Sequence, residues 1–123
     1  IINNAPLYGM TQKEQLKASF IAGFHHGISN KIMRSYRYAM MVTQPEWKEI
    51  RRLSTLLALA EAADVTYEGL VTGFEAAATS EGVALTVIAA PSTDCRAIDF
   101  EMQSFCKQFK KEFGRPLVIV WRK

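Results

Sequence analysis

Two short apolar runs with an amphipathic segment between them constrain the fold of this chain most strongly. Residues 83–90 and residues 117–121 are almost entirely apolar, and Gly and Pro residues bound the first run and precede the second. Such runs are typical of buried strands. Between them, residues 93–113 repeat large apolar side chains at helical spacing. A strand, a helix and a strand with short connections predict a right-handed βαβ unit with parallel strands.

The chain before this unit has helical periodicity. Thr11 followed by Glu14 is a capping-box pattern, so the first helix is expected to start there. The predicted helices cover residues 11–28, 30–40, 46–63 and 66–79. With 49% hydrophobic and 22% charged residues, the 123 residues suit one globular domain. The prediction is a single α+β domain: an extended segment over residues 1–10, a helical part over residues 11–79, and the βαβ unit over residues 83–123.

The predicted sheet needs more than its two parallel strands, because such a pair is not stable alone. Residues 36–43 or residues 1–8 are candidates for a further strand, and so is a second copy of the chain. Gly23 and Gly27 lie four residues apart, a spacing that lets another helix approach closely, and together with the incomplete sheet this predicts a homodimer. The large side chains expected in the core are Phe20, Phe24, Leu57, Phe74, Val87, Phe105, Phe109 and Ile119.

The charge is distributed in three blocks along the chain. Residues 1–52 carry a net charge of +5, residues 53–94 carry −6 without any Lys or Arg, and residues 95–123 carry +4. A basic first block indicates an anionic partner, either phosphate or an acidic protein face. The alternative is that the blocks neutralise one another across the fold.

Two groups of cations in the first block are the best candidates for contact with DNA or RNA. The first group steps by three residues and includes aromatic rings that can stack on bases, and the second lies on the next predicted helix. Phosphate contacts need only clustered cations, so the pattern is permissive, and a solvated basic helix face is the alternative. The predicted nucleic-acid-binding residues are Lys31, Arg34, Arg37, Tyr38, Lys48, Arg51 and Arg52.

Residues 59–74 resemble a helix-turn-helix in their spacing of small and apolar residues. A recognition helix needs Arg, Lys, Asn or Gln to reach bases and phosphates, and the exposed positions here hold Thr and Glu. The segment is therefore predicted to be a helical hairpin that contacts a protein. Its predicted protein-contact residues are Glu68, Thr72 and Glu75.

No catalytic, metal-binding or cofactor-binding residue is predicted. His25 and His26 are adjacent, so on a helix they point about 100° apart and cannot hold one metal as an i, i+4 pair does. Cys95 and Cys106 lie eleven residues apart in the predicted crossover helix, a rise of roughly 16 Å, which excludes a disulfide between them or a shared metal. Two structural thiols predict a reduced, cytoplasmic protein.

The sequence contains no candidate membrane span. The longest stretches without a charged residue are thirteen and twelve residues long, against the roughly 18 apolar residues that a spanning helix needs. The sequence therefore predicts a small non-enzymatic binding protein, a nucleic-acid-associated regulator or accessory factor that contacts phosphates through basic helical faces. The alternative is a protein-interaction module, such as an inhibitor, immunity or adaptor protein, whose basic face binds an acidic partner.

Overall fold

The structure is a computed structural model that describes residues 9–24 and 41–123. It divides into two compact units, the N-terminal unit (Ile1–Leu57) and the C-terminal unit (Ala58–Lys123). The helices are α1 (Gln12–Phe24), α2 (Gln44–Ala62), α3 (Arg96–Gln103) and α4 (Cys106–Phe113), and the strands are β1 (Val71–Ala78), β2 (Val83–Ala89) and β3 (Leu117–Arg122). Most of the extended segment predicted over residues 1–10, and the helix predicted over residues 30–40, lie outside the described residues. The single-domain organisation stays a prediction.

The two helices described in the N-terminal unit, α1 and α2, each begin after a threonine that caps them. The Thr11 hydroxyl accepts the backbone N–H of Glu14 at 3.1 Å, as the capping-box pattern predicts for the start of α1. The Thr43 hydroxyl accepts the backbone N–H of Glu46 at 3.3 Å, and a Glu46 carboxylate oxygen accepts the backbone N–H of Thr43 at 3.2 Å. This reciprocal pair satisfies two N–H groups that a helix start leaves without helical partners.

Three aromatic rings pack together in the described core of the N-terminal unit. The ring of Phe20 meets the ring of Trp47 edge to face, with 4.7 Å between centroids, and stacks on the ring of Phe24 at 5.6 Å. Helices α1 and α2 also approach closely. The small Ser54 side chain on α2 donates a hydrogen bond to the backbone oxygen of Ile21 on α1 at 3.4 Å. The buried residues of this cluster are Leu16, Phe20, Phe24, Val42, Trp47 and Ile50.

The C-terminal unit contains a three-stranded mixed sheet in the order β1-β2-β3. Strand β2 pairs with β3 in parallel, from Val83 opposite Leu117 to Ile88 opposite Arg122, and with β1 antiparallel. The parallel strands predicted over residues 83–90 and 117–121 are thereby confirmed, and the helices with this small sheet make the α+β fold that the sequence predicts.

The helix predicted over residues 66–79, and with it the helix-turn-helix, is wrong. These residues form a loop and then strand β1, which pairs with β2 along nearly its whole length. Leu70, Phe74 and Ala77 have helical spacing, and Ala favours helices, but the tight turn from Thr79 to Gly82 brings this segment back onto β2. In that turn the backbone N–H of Thr79 donates to the oxygen of Gly82 at 2.7 Å.

The single crossover helix predicted over residues 93–113 is also wrong in detail, because it divides into α3 and α4. The Ser104 hydroxyl donates to the backbone oxygen of Glu101 at 2.6 Å. The backbone N–H of Phe105 donates to the oxygen of Met102, three residues earlier, whereas an α-helix would pair it with the oxygen four residues earlier. Such a tightened turn ends one helix before the next begins. Helix α3 begins after Cys95, which has no side-chain cap bond, and the Asp94 carboxylate accepts the backbone N–H of Arg96 at 3.2 Å.

One buried cluster joins the sheet, α3, α4 and the end of α2 within the C-terminal unit. Its buried members are Leu59, Ala62, Ala63, Val87, Ile98, Met102, Phe109 and Leu117. Of the eight predicted core residues, Phe20, Phe24, Val87 and Phe109 are buried, and Phe105 and Ile119 pack half-buried against this cluster. The other two are wrong: Leu57 is 40% exposed and Phe74, on the edge strand β1, is 47% exposed.

The further strand that the sheet needs comes from this chain, at residues that the sequence analysis assigned to a helix. Of the strand candidates proposed there, residues 1–8 and the first part of residues 36–43 lie outside the described residues, and residues 41–43 do not form a strand. A third strand within the chain removes one motive for the predicted homodimer, which stays a prediction. Gly27 is not among the described residues, and a Cβ at Gly23 would meet nothing within 4 Å. No helix within residues 9–24 and 41–123 is both long and apolar enough to span a membrane.

Candidate functional site

Three of the predicted nucleic-acid-binding residues lie on one face of helix α2. Lys48, Arg51 and Arg52 stand at positions i, i+3 and i+4, which a helix brings to the same side. The Lys48 side chain is exposed, and the two arginines are half-buried. We call these three residues the α2 basic face. The other predicted residues, Lys31, Arg34, Arg37 and Tyr38, lie outside the described residues.

The acidic residues near the start of α2 are engaged by lysines of α1. Lys13 lies 3.1 Å from a carboxylate oxygen of Glu46, and Lys17 lies 2.9 Å from Glu49. The hydrogen bond to Glu49 raises the pKa of Lys17. Lys13 and Lys17 thereby compensate the two carboxylates that stand closest in sequence to the α2 basic face.

The pKa of Glu46 is lowered from 4.5 to about 2, chiefly by the hydrogen bond from the Thr43 hydroxyl and then by the one from Lys13. A carboxylate with a lowered folded-state pKa stabilises the fold above its unfolded pKa, and this contribution is lost as the pH falls towards its folded pKa. We therefore expect Glu46→Gln to lower the melting temperature at pH 7, with the difference from the wild type shrinking between about pH 5 and pH 2.

Thermal unfolding followed by circular dichroism from pH 2 to pH 7 measures this difference. Glu68→Gln, at an exposed loop position, is the control and should leave the melting temperature nearly unchanged throughout. A constant difference between wild type and Glu46→Gln at every pH contradicts the assignment.

The three predicted protein-contact residues do not share a helix face. Glu68 lies in the loop before β1, and Thr72 and Glu75 lie on β1 itself. The Thr72 hydroxyl donates to the backbone oxygen of Ile88 at 3.2 Å. Glu75 accepts two hydrogen bonds from the guanidinium of Arg122 on β3, at 2.7 and 3.1 Å, and this contact lowers the pKa of Glu75. Thr72 and Glu75 therefore bond within the sheet.

An open cavity of about 280 Å³ lies where β2 and β3 end and α3 begins. Carboxyl ends of parallel strands commonly border ligand sites. Its lining residues are Asp94, Cys95, Arg96, Asp99, Trp121 and Lys123. This cavity was not predictable from the sequence, because it forms only when the two strands pair.

The polar groups of this cavity bond to one another. The Asp94 carboxylate accepts two hydrogen bonds from the Arg96 side chain, at 3.0 and 2.8 Å, and its pKa is lowered to about 2, chiefly by that side chain. The Trp121 ring N–H donates to Asp99 at 2.8 Å. Both carboxylates thus already hold partners within the cavity.

The two cysteines are both free. Cys95 is buried, and partial burial raises the pKa of Cys106, which favours the unreactive thiol over the thiolate. In the part of the chain that the structure describes, no three His, Cys, Asp or Glu residues come together as a metal site. His25 and His26 lie outside that part.

The chain was compared with known proteins at the level of sequence and of structure. No protein-family model, no curated protein and no solved structure matches it. The α2 basic face and the cavity at the strand ends therefore have to be interpreted from their own geometry and charge.

Proposed function

We propose that this chain is a small non-enzymatic protein that binds nucleic acid through phosphate contacts of the α2 basic face. The observation that supports the proposal is the spacing of Lys48, Arg51 and Arg52, which sets three cations on one side of a 19-residue helix. Their neighbours Glu46 and Glu49 are paired with α1 lysines. A polyanion that approaches this face therefore meets cations without close repulsion from those two carboxylates.

The chemistry of phosphate contact suits such a face. A cation that neutralises a backbone phosphate releases condensed counterions, and this gain depends on charge and position and very little on base sequence. The α2 basic face includes no aromatic or amide side chain among its three members. The proposed binding is therefore electrostatic, weakly dependent on sequence, and strongly dependent on salt.

We expect the variant Lys48→Gln/Arg51→Gln/Arg52→Gln to bind nucleic acid more weakly and with less salt dependence than the wild type. Each lost phosphate contact reduces the slope of log affinity against log salt by about 0.9 on duplex DNA. Three contacts correspond to a change of roughly 2–3 in that slope. Fluorescence anisotropy with labelled duplex and single-stranded oligonucleotides, titrated at several salt concentrations, measures both quantities.

The matched control is Arg115→Gln/Lys123→Gln, which removes two cations of the C-terminal unit that donate to the backbone oxygens of Thr79 and Thr93. It should retain most of the salt slope. Absence of wild-type binding to any oligonucleotide at ~50 mM salt, where phosphate contacts are strong, overturns the proposal.

A protein-interaction module is the second candidate. It is favoured by the edge strand β1, where Phe74 is 47% exposed beside Thr72, because exposed edges pair readily with a further strand. In this alternative the α2 basic face binds an acidic partner protein. Absence of nucleic-acid binding, together with capture of an acidic partner that the triple variant fails to retain, favours this candidate.

A further inference from the structure

Helices α3 and α4 share a second basic surface, which the proposed function does not use. Lys107, Lys110 and Lys111 lie on α4 and are all exposed, and Phe100 on α3 is 76% exposed. We call these four residues the α3–α4 face. Its lysines repeat the i, i+3, i+4 spacing of the α2 basic face, and the large aromatic ring is an addition that the α2 basic face lacks.

The four side chains lie on the exposed sides of α3 and α4, because the buried residues of these two helices are Ile98, Met102, Phe109 and Glu112. Ser104 and Phe105 both have right-handed helical backbone angles. The N–H of Ser104 donates to the oxygen of Phe100, and the N–H of Phe105 donates to the oxygen of Met102. Lys107 follows Phe100 by seven residues, which is close to two helical turns, and Lys111 follows Lys107 by four residues, which is close to one turn. The Phe100 ring therefore lies on the same side as the lysines.

The lysines of this face are available to an anion. Within the described residues, the side-chain ammonium groups of Lys107, Lys110 and Lys111 form no ion pair or hydrogen bond. The three acidic residues of the same helices are less exposed than the lysines: Asp99 accepts the ring N–H of Trp121, Glu101 is half-buried, and Glu112 is buried. The face thus presents three positive charges to solvent.

We propose that the α3–α4 face binds single-stranded nucleic acid, with its lysines on phosphates and the Phe100 ring stacked on a base. This inference rests on the proposed function and names the form of nucleic acid that the chain prefers. Proteins that bind single strands combine cations that follow the backbone with aromatic rings that stack on bases. A duplex keeps its bases stacked on one another, so only a single strand gives the exposed ring a partner.

Two variants test the two parts of this surface against a labelled oligo-dT of 20 nucleotides and a labelled duplex. Phe100→Ala should weaken binding to the single strand by about fivefold or more, and it should leave binding to the duplex unchanged. Lys107→Gln/Lys110→Gln/Lys111→Gln should reduce the salt slope on the single strand by roughly 2, since each contact contributes about 0.7. Arg115→Gln/Arg122→Gln/Lys123→Gln removes the same charge from positions outside both basic faces and should change the slope less.

The outcomes separate this inference from the function on which it rests. A wild type that binds no nucleic acid overturns both. A wild type that binds, with both α3–α4 variants equal to it, overturns only the inference and leaves the α2 basic face. Vesicles that contain phosphatidylserine are the third arm: if both variants lose vesicle binding and retain oligo-dT binding, the face belongs to a membrane surface and the inference is wrong. Circular dichroism spectra equal to that of the wild type establish that each variant is folded.

Discussion

Replacing Met102 by alanine is expected to lower the free energy of unfolding of the C-terminal unit by about 2–5 kcal/mol. Met102 has no exposed surface, and it lies in one cluster with Val87, Ile98 and Phe109. Alanine removes its apolar contacts and leaves a cavity that the sheet and helices only partly close. Urea unfolding followed by Trp121 fluorescence, in a Trp47→Phe background, reports on this unit because the chain has two tryptophans.

Phe100→Ala on the same helix is the control for Met102→Ala. Its ring is 76% exposed, so its loss is expected to change the free energy of unfolding by no more than about 0.5 kcal/mol. If Met102→Ala and Phe100→Ala lower the free energy of unfolding equally, the placement of α3 against the sheet is wrong. In that case the Met102 side of the helix is no more buried than the Phe100 side.

Replacing Phe20 by alanine is expected to lower the free energy of unfolding of the N-terminal unit by about 3–5 kcal/mol. Phe20 is 2% exposed, and its ring meets Trp47 edge to face and stacks on Phe24. The substitution removes apolar burial and two aromatic contacts at once. In a Trp121→Phe background, the remaining Trp47 lies beside the new cavity, so its fluorescence follows the transition directly.

Leu53→Ala on α2 is the matched control, because Leu53 is 40% exposed. Its expected cost is about 1 kcal/mol or less, in proportion to the smaller apolar area that it buries. A cost for Leu53→Ala as large as that for Phe20→Ala would show that the face of α2 that packs on α1 is assigned incorrectly.

Strands β2 and β3 were predictable because their signals are local. Each is a short apolar run next to Gly and Pro, and a strand buried between neighbours needs little else. Strand β1 was not predictable in the same way. Its second half, Ala76, Ala77 and Ala78, has high helix propensity, and only the cross-strand pairing with β2 decides its conformation.

The buried face of α2 shows a second limit of sequence patterns. Apolar periodicity favours Leu53 and Leu57 as core residues, yet both are 40% exposed, while Ser54 and Ala58 are buried. Small side chains are buried where another backbone comes close, as the hydrogen bond from Ser54 to Ile21 shows for Ser54. A pattern that ranks residues by apolarity alone misses such contacts.

The candidate sites were only partly accessible to sequence reasoning. The i, i+3, i+4 cations of α2 are visible in the sequence once the helix is predicted. The three lysines of α4 have the same spacing, but cations near the end of a helix are also explained by their favourable interaction with its dipole. The sequence does not show that Phe100 is exposed on the same side as these lysines. That exposure depends on which side of α3 packs against the sheet.

The parallel pairing of β2 with β3 has a consequence for the chain while it is being made. Val83 pairs with Leu117, 34 positions later, whereas its partner on β1, Ala78, is already present when Val83 is added. At typical rates of synthesis, 34 residues take roughly 2–7 s. During that interval the apolar strand β2 has one unpaired edge, of the kind that joins other chains. Until β3 has been synthesised, β2 can therefore pair only with β1, and the edge of β2 that later pairs with β3 has no partner.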